Sequence, residues 1–264
     1  MAEILKAEGV GKVFPGGLVA LDGFDLDVDA GDFVALVGPS GCGKTTFLRM
    51  AAGFEFPTGG QLLFRGQRIA GPDPRRAVLF QDIRLFPWLT VRQNVAFGAA
   101  VGGRTDAGGR GRVGEVMARF GLDRFADRHP HEISLGTQQK IGLARVLLND
   151  PEVILCDEPF SSIDVRARAA LQVELLSHWQ RTRNTVVFVT HNVREAVYLA
   201  RRVVAVTARP GRVKRIVEVD LPEARWEPHV ITGRRFAELA EHVADALKDE
   251  IRRSQAEERS ALPG

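Results

Sequence analysis

Gly38-Pro39-Ser40-Gly41-Cys42-Gly43-Lys44-Thr45 satisfies the pattern G-x-x-x-x-G-K-[ST]. Glycines at this spacing let successive backbone N–H groups curve around a phosphate, and a helix starting there adds roughly half a positive charge at the same point. Lys44 would meet the β- and γ-phosphates as a point charge, and the Thr45 hydroxyl would be a Mg²⁺ ligand. Thr46, the next hydroxyl, joins residues 38–45 as a nucleotide-contact candidate. A chain of this length meets the pattern by accident only about once in a hundred cases. Here it also falls between an apolar strand pattern (Asp32 to Gly38) and a helical one (Thr46 to Ala52), the setting in which it carries meaning.

A phosphate site of this kind needs an acid at the end of a neighbouring parallel strand, because open α/β sheets bind ligands at that edge. Asp157 follows the apolar run Val153-Ile154-Leu155-Cys156 and is the candidate metal-holding carboxylate. Glu158 would face the γ-phosphate and polarise an attacking water. Gln81 closes Ala77-Val78-Leu79-Phe80 as a polar residue on the same edge; His191 closes Val186-Val187-Phe188-Val189-Thr190 and is a further catalytic candidate. Asn192 with Glu195 three residues on is a helix-start pattern just beyond it.

These positions require an alternating chain, and the patterning supplies one. The first thirty residues alternate with period two, punctuated by Gly16-Gly17 and Ala30-Gly31, and predict antiparallel strands. A strand over Arg76 to Gln81 leads into a loop holding Phe86-Pro87-Trp88. Seven glycines between Gly98 and Gly114 predict a break in any helix and a flexible connection. Helical spacing resumes through Val113, Val116, Met117 and Phe120, and again from Gln138 to Leu148. Helix 165–181, strand 185–190, helix 193–200 and strands near 202–207 and 212–219 complete a doubly wound pattern. The predicted fold is therefore α/β: a phosphate-loop NTPase core with a mixed, largely parallel sheet, an N-terminal antiparallel β subdomain and an inserted helical subdomain at about 83–150. The main domain spans 1–221. A tail, 222–264, carries Phe236, Leu239, Ala240, Val243, Leu247 and Ile251 on one face of a charged helix.

Composition narrows the function classes. The chain has 264 residues, 45% hydrophobic and 26% charged, enough to bury a core without disulfide or metal staples. Lys plus Arg is 36 against 33 for Asp plus Glu, and the net +3 without a basic cluster argues against a dedicated nucleic-acid binder. No signal-peptide pattern or membrane-length apolar run is evident, and two distant cysteines, Cys42 and Cys156, predict free thiols in a reducing compartment.

Taken together, these residues resemble the ATP-binding subunit of ATP-binding cassette (ABC) transporters, from about Glu3 to Val219. The resemblance implies that Phe14 stacks on adenine, that Gln81 is the Q-loop glutamine and so a candidate for both metal ligation and catalysis, and that Asp157 and Glu158 are the Walker B acid and the catalytic glutamate. It also implies that Ser161-Ser162-Ile163-Asp164 is the D-loop, with Asp164 communicating across an interface, and that His191 is the switch histidine. The family's Leu-Ser-Gly-Gly-Gln signature is matched by Ile133-Ser134-Leu135-Gly136-Thr137. Ser134 and Gly136 are kept, so a hydroxyl and a backbone N–H remain for a γ-phosphate, whereas Leu135 and Thr137 replace a glycine and a glutamine and imply a slower or more partner-dependent ATPase.

In the family this loop acts in trans. The implied ligands are ATP and Mg²⁺, and the implied partners are a second copy of the chain, transmembrane permease subunits and, indirectly, a solute-binding protein, at the cytoplasmic face of the inner membrane. A finer resemblance, over Gln81–Gly98 and the Arg209-Pro210-Gly211-Arg212 turn, is to the nitrate/sulfonate/taurine import subfamily. Importers of pyrimidine or riboflavin precursors and of phthalate-like acids look much alike. The alternatives are a non-transport ABC ATPase or a weakly active regulatory cassette. The first would carry a long coiled-coil insertion or a second cassette, and neither is evident here. A GTPase would need an Asn-Lys-x-Asp motif, which is absent.

Overall fold

The computed structural model describes residues 2–101, 107–223 and 225–261. Period-two alternation at the N-terminus forms strands β1 (Glu3–Val13) and β2 (Val19–Asp29), paired antiparallel and turning through Gly16 and Gly17, both at positive φ. The other edge of β1 takes β4 (Gly59–Phe64), which hairpins into β5 (Gln67–Arg68), giving the order β2-β1-β4-β5. The sequence reading did not find this second hairpin.

The main sheet holds β3 (Phe33–Val37), β6 (Arg76–Leu79), β7 (Val153–Asp157), β8 (Thr185–Thr190), β9 (Arg202–Val206) and β10 (Val213–Glu218). Their order is β10-β9-β3-β8-β7-β6, parallel throughout except for the antiparallel edge strand β10. Strand β3 is buried along its whole length because both faces of the sheet are covered. Its side chains alternate: Phe33, Ala35 and Val37 join one core, and Val34 and Leu36 the other. The second core is closed by helix α1 (Lys44–Ala52) and the antiparallel sheet, through Phe47, Leu48 and Met50 against Val10, Leu21 and Phe24.

The first core is closed by helices α2 (Val91–Val101), α3 (Ala107–Arg119), α4 (Leu135–Leu148), α5 (Val165–Thr182) and α6 (Val193–Leu199). A short α7 (Pro228–Ile231) precedes α8 (Arg234–Ala261), whose Phe236, Leu239, Ala240, Val243, Ala246 and Leu247 complete the same core.

Three expectations need correction. Helix covers 98–101 and 107–114 despite the glycines there, while residues 102–106, where a break and a flexible connection are also expected, lie outside the described residues. Each glycine costs only about 1 kcal/mol against alanine, and the buried face of Val113, Met117 and Phe120 holds α3 in place. Gly98 is a packing position, since a Cβ there would lie 2.1 Å from Asn149 Nδ2 at the end of α4. Strand β6 stops at Leu79, so Gln81 lies beyond it rather than closing it. On α8, Ile251 is exposed and its neighbour Glu250 is buried instead.

Candidate functional site

Strand order builds the site. Because β8 lies between β3 and β7, the chain segments leaving these three strands emerge side by side: the glycine loop, His191, and Asp157-Glu158. Gly43 caps α1 at φ 98° and Gly41 sits at φ 72°, conformations in which a side chain is strained. A Cβ on Gly43 would meet the Ala20 carbonyl at 2.7 Å, so the loop is seated directly on β2. Lys44 is 5% exposed, and its Nζ donates to the carbonyls of Gly38 and Pro39, each at 2.9 Å. Among the described residues it makes no ion pair, so this buried ammonium is held by carbonyl oxygens and by Cys42 Sγ at 3.5 Å.

Thr45 Oγ1 donates to Asp157 Oδ1 at 2.8 Å, joining the start of α1 to the end of β7. Burial pushes the Asp157 carboxyl above its ordinary range and the adjacent Glu158 charge adds to the shift, while the Thr45 bond and Lys44 oppose it. Glu158 sits at φ 45°, an uncommon conformation for a residue with a side chain; its N–H donates to the Val189 carbonyl at 3.0 Å. That backbone turns its carboxylate to within 3.0 Å of His191 Nδ1. A cleft of about 260 Å³ is lined by Phe14, Leu18, Ala20, the loop residues Ser40–Thr46, Glu158 and Arg209.

The ABC transporter family model matches residues 21–161. The chain is 45% identical over 257 residues to an uncharacterized ABC transporter ATP-binding protein of Methanocaldococcus jannaschii, covering 95% of this chain and 93% of that one. It is 38% identical to the aliphatic sulfonates import ATP-binding protein SsuB of Bacillus cereus, covering 90% and 94%. Among solved structures, a dimeric ATP-binding cassette in a post-hydrolysis state with ADP and Pi superposes with a TM-score of 0.71 at 28% identity, covering 82% of this chain and 99% of that chain. The chain belongs to the ABC transporter ATP-binding family. It is an ATP-binding, ATP-hydrolysing cassette. Among the described residues no helix is long and apolar enough to cross a membrane.

The cassette does not bring all its candidate residues together within one chain. Gln81 is exposed and lines a neighbouring pocket with Arg49, Phe54, Phe80, Asp82, Arg84 and Asp157, so it shares only Asp157 with the metal-site candidates. Ser134 and Gly136 lie outside the phosphate-loop cleft. Ser134 is the N-cap of α4: its Oγ accepts from the Thr137 N–H at 3.3 Å and lies 3.0 Å from Thr137 Oγ1. Asp164 is likewise the N-cap of α5, accepting from the N–H groups of Arg166 and Ala167 at 3.0 Å, which holds its carboxyl below the ordinary range. Gly136 and α5 meet closely, since a Cβ there would be 3.2 Å from the Ala167 Cβ.

The pair Thr45 and Asp157 suits Mg²⁺, being two hard oxygen donors bonded to each other. Among the described residues no three His, Cys, Asp or Glu side chains converge, so phosphate oxygens and water would have to supply the other ligands.

Several supporting residues escaped the sequence reading. Arg168 donates to the carbonyls of Phe160 and Ile163 and so shapes the 161–164 loop from inside α5. Buried Asn94 accepts from the Phe86 N–H and donates to the carbonyls of Phe86, Leu89 and Thr90, bracing the Phe86–Trp88 loop. Trp88, in the loop that the sequence reading did single out, is 71% exposed and in contact with Phe86, which in turn packs on Phe97. Arg209 lines the cleft itself.

Proposed function

We propose that two copies of this cassette close head to tail around two Mg·ATP and drive import of a small oxyanionic solute of the sulfonate, taurine or nitrate type. The carrying observation is the pair of contacts at the strand ends, Thr45 with Asp157 and Glu158 with His191, on a cleft edged by Phe14. In this reading the loop N–H groups and Lys44 hold the β- and γ-phosphates, Phe14 stacks on adenine, and Thr45, Asp157 and Gln81 hold Mg²⁺. The ion would neutralise charge developing on the phosphates.

Glu158 takes the proton of the attacking water, and His191 orients that carboxylate and senses the γ-phosphate. Ser134 and Gly136 of the second copy meet the same γ-phosphate at the start of their helix, and Asp164 links the two sites. Loss of the γ-phosphate removes the contact shared by both halves and lets them part, a two-state switch biased by ligand. In the same reading exposed Trp88, with Phe86 and Phe97, is an aromatic seat for a cytoplasmic segment of the permease, the cassette lies peripherally on the inner membrane, and a solute-binding protein acts through the permease. The solute class rests on similarity to the SsuB protein and on the Gln81–Gly98 stretch.

Glu158→Gln and Lys44→Ala test this reading. The amide of the Glu158→Gln variant keeps an oxygen for His191 but cannot take a proton, so turnover should fall about 10²–10⁴-fold, and sedimentation with Mg·ATP should show a trapped dimer. Lys44→Ala should neither bind nor dimerise. A Glu158→Gln protein that turns over ATP like the wild type would remove Glu158 as the base.

A further inference from the structure

We propose that Arg209 contacts the nucleotide polyphosphate and that the C-terminal helix α8, through Glu250, positions it, which makes the tail a part of the ATP site. The proposal rests on the phosphate-loop cleft being the nucleotide site.

Arg209 lines that cleft together with Phe14, and its Nε and Nη2 donate to the Gly41 carbonyl at 3.3 and 3.2 Å. Those bonds leave several of its five N–H donors free. Among the described residues no carboxylate lies within ion-pair distance of it, whereas Arg212, in the same turn, pairs with Asp22 and Arg202 with Asp32. A planar cation with spare donors beside a ring of backbone N–H groups is matched to phosphate oxygens.

The turn is fixed to the loop. The Gly211 N–H donates to the Ala20 carbonyl at 2.9 Å, and a Cβ on Gly211 would lie 2.0 Å from the Cys42 carbonyl. Its other anchor is α8. Glu250 is 5% exposed; its Oε2 accepts from the Ala208 N–H and its Oε1 from Lys214 Nζ, each at 2.8 Å. Burial pushes this carboxyl up, but Lys214 and the Ala208 N–H more than offset it and keep the group below its ordinary range. A carboxylate buried in an otherwise apolar helix face is costly unless it is paired, and this one is paired to the residue immediately before Arg209.

Nucleotide affinity measured by ADP and ATP titration tests the proposal. Arg209→Ala should raise both Kd values about tenfold, as for one charge-assisted contact near solvent, and should flatten their dependence on salt. Arg209→Gln separates contact from mere bracing, since an amide can still donate to the Gly41 carbonyl. Under the proposal it behaves like Arg209→Ala, and wild-type affinity in Arg209→Gln overturns the contact.

Glu250→Ala should weaken binding several-fold in the wild type and by less than about twofold in the Arg209→Ala background, because residues acting through one contact are not additive. Full additivity overturns the positioning role; the same cycle with Glu250→Gln applies if the alanine variant does not fold. Lys44→Ala is the reference: if it leaves binding intact, the site itself is wrong, whereas if it abolishes binding and Arg209→Ala does not weaken it, only the Arg209 contact fails.

Discussion

Substituting Gly43 tests whether the shape of the phosphate loop, apart from its charges, makes the site. Gly43 lies at φ 98°, and an added Cβ would fall 2.7 Å from both the Ala20 carbonyl oxygen and Leu21 Cδ2. Gly66, in the turn between β4 and β5, lies at φ 73° with nothing within 4 Å of an added Cβ. Alanine at either position adopts the left-handed region at a cost of about 1–2 kcal/mol. In a chain of this size each kcal/mol lowers Tm by roughly 2–4 °C, so both variants should melt a few degrees early. Only Gly43→Ala also has an overlap to relieve.

Ala20 is buried and its carbonyl already accepts from the Gly211 N–H at 2.9 Å, so strand β2 is the stiffer partner. The loop must therefore move by about half an ångström or more to reach normal contact, enough to misalign several N–H donors at once. ATP affinity should drop at least about tenfold, the loss of one charge-assisted hydrogen bond or more. Thermal melts without nucleotide and a fluorescent-ATP titration on both variants decide the matter. If Gly43→Ala and Gly66→Ala melt alike and both bind ATP like the wild type, loop shape does not govern binding and the reasoning fails.

Two further outcomes are expected. Leu135→Gly with Thr137→Gln removes the Thr137 hydroxyl that lies 3.0 Å from Ser134 Oγ, and ATP turnover measured against protein concentration should rise; an unchanged profile would refute the link. His178 is buried and held neutral: burial, then Arg119 and Arg181, lower its pKa from 6.5 to about 4. The unfolded chain takes up a proton as pH falls through 6.5 and the folded chain does not until about 4, so stability is lost across that window. Urea unfolding at pH 5 and pH 7 should show about 2 kcal/mol of this loss. His178→Gln should reduce the difference; equal pH dependence in both proteins would show that His178 titrates freely.

The placement of much of the candidate site was legible in the sequence, because each part is a short local pattern at the end of an apolar strand. Residues 38–45, Asp157-Glu158 and His191 needed only that their strands be parallel neighbours, and near-continuous apolar runs such as Val153–Cys156 signal that burial. The β4–β5 hairpin was missed because its turn is Arg65-Gly66, with Arg65 at φ 51°, rather than an asparagine-glycine pair. The helical turns at 98–101 and 107–114 were missed because glycine count reports local propensity, while tertiary packing of Val113, Met117 and Phe120 decides the outcome for the second. Arg209 and Glu250 were illegible as a pair, since nothing local links residues 41 apart.

In the proposed dimer the start of α4 faces a second chain, and the two helix ends give a physical reason. Ser134 and Asp164 each cap a helix: Ser134 accepts from the Thr137 N–H and Asp164 from those of Arg166 and Ala167, which leaves the N–H groups of Leu135, Gly136 and Val165 without an intrahelical acceptor. Leu135 is 47% exposed and Val165 78% exposed at the first positions of those two helices, which touch through Gly136 and Ala167. A single exposed leucine means little. Two apolar side chains beside these free N–H donors, most of them on α4, make a surface that favours an anion and a covering protein face together. In the proposed dimer the γ-phosphate bound by the opposite loop supplies the first and the opposite cassette the second, so closing without ATP would bury the donors unsatisfied. On this argument nucleotide dependence of assembly follows from the helix ends themselves, and substitutions at Leu135 or Val165 should alter dimer affinity while leaving ATP binding by the single chain intact.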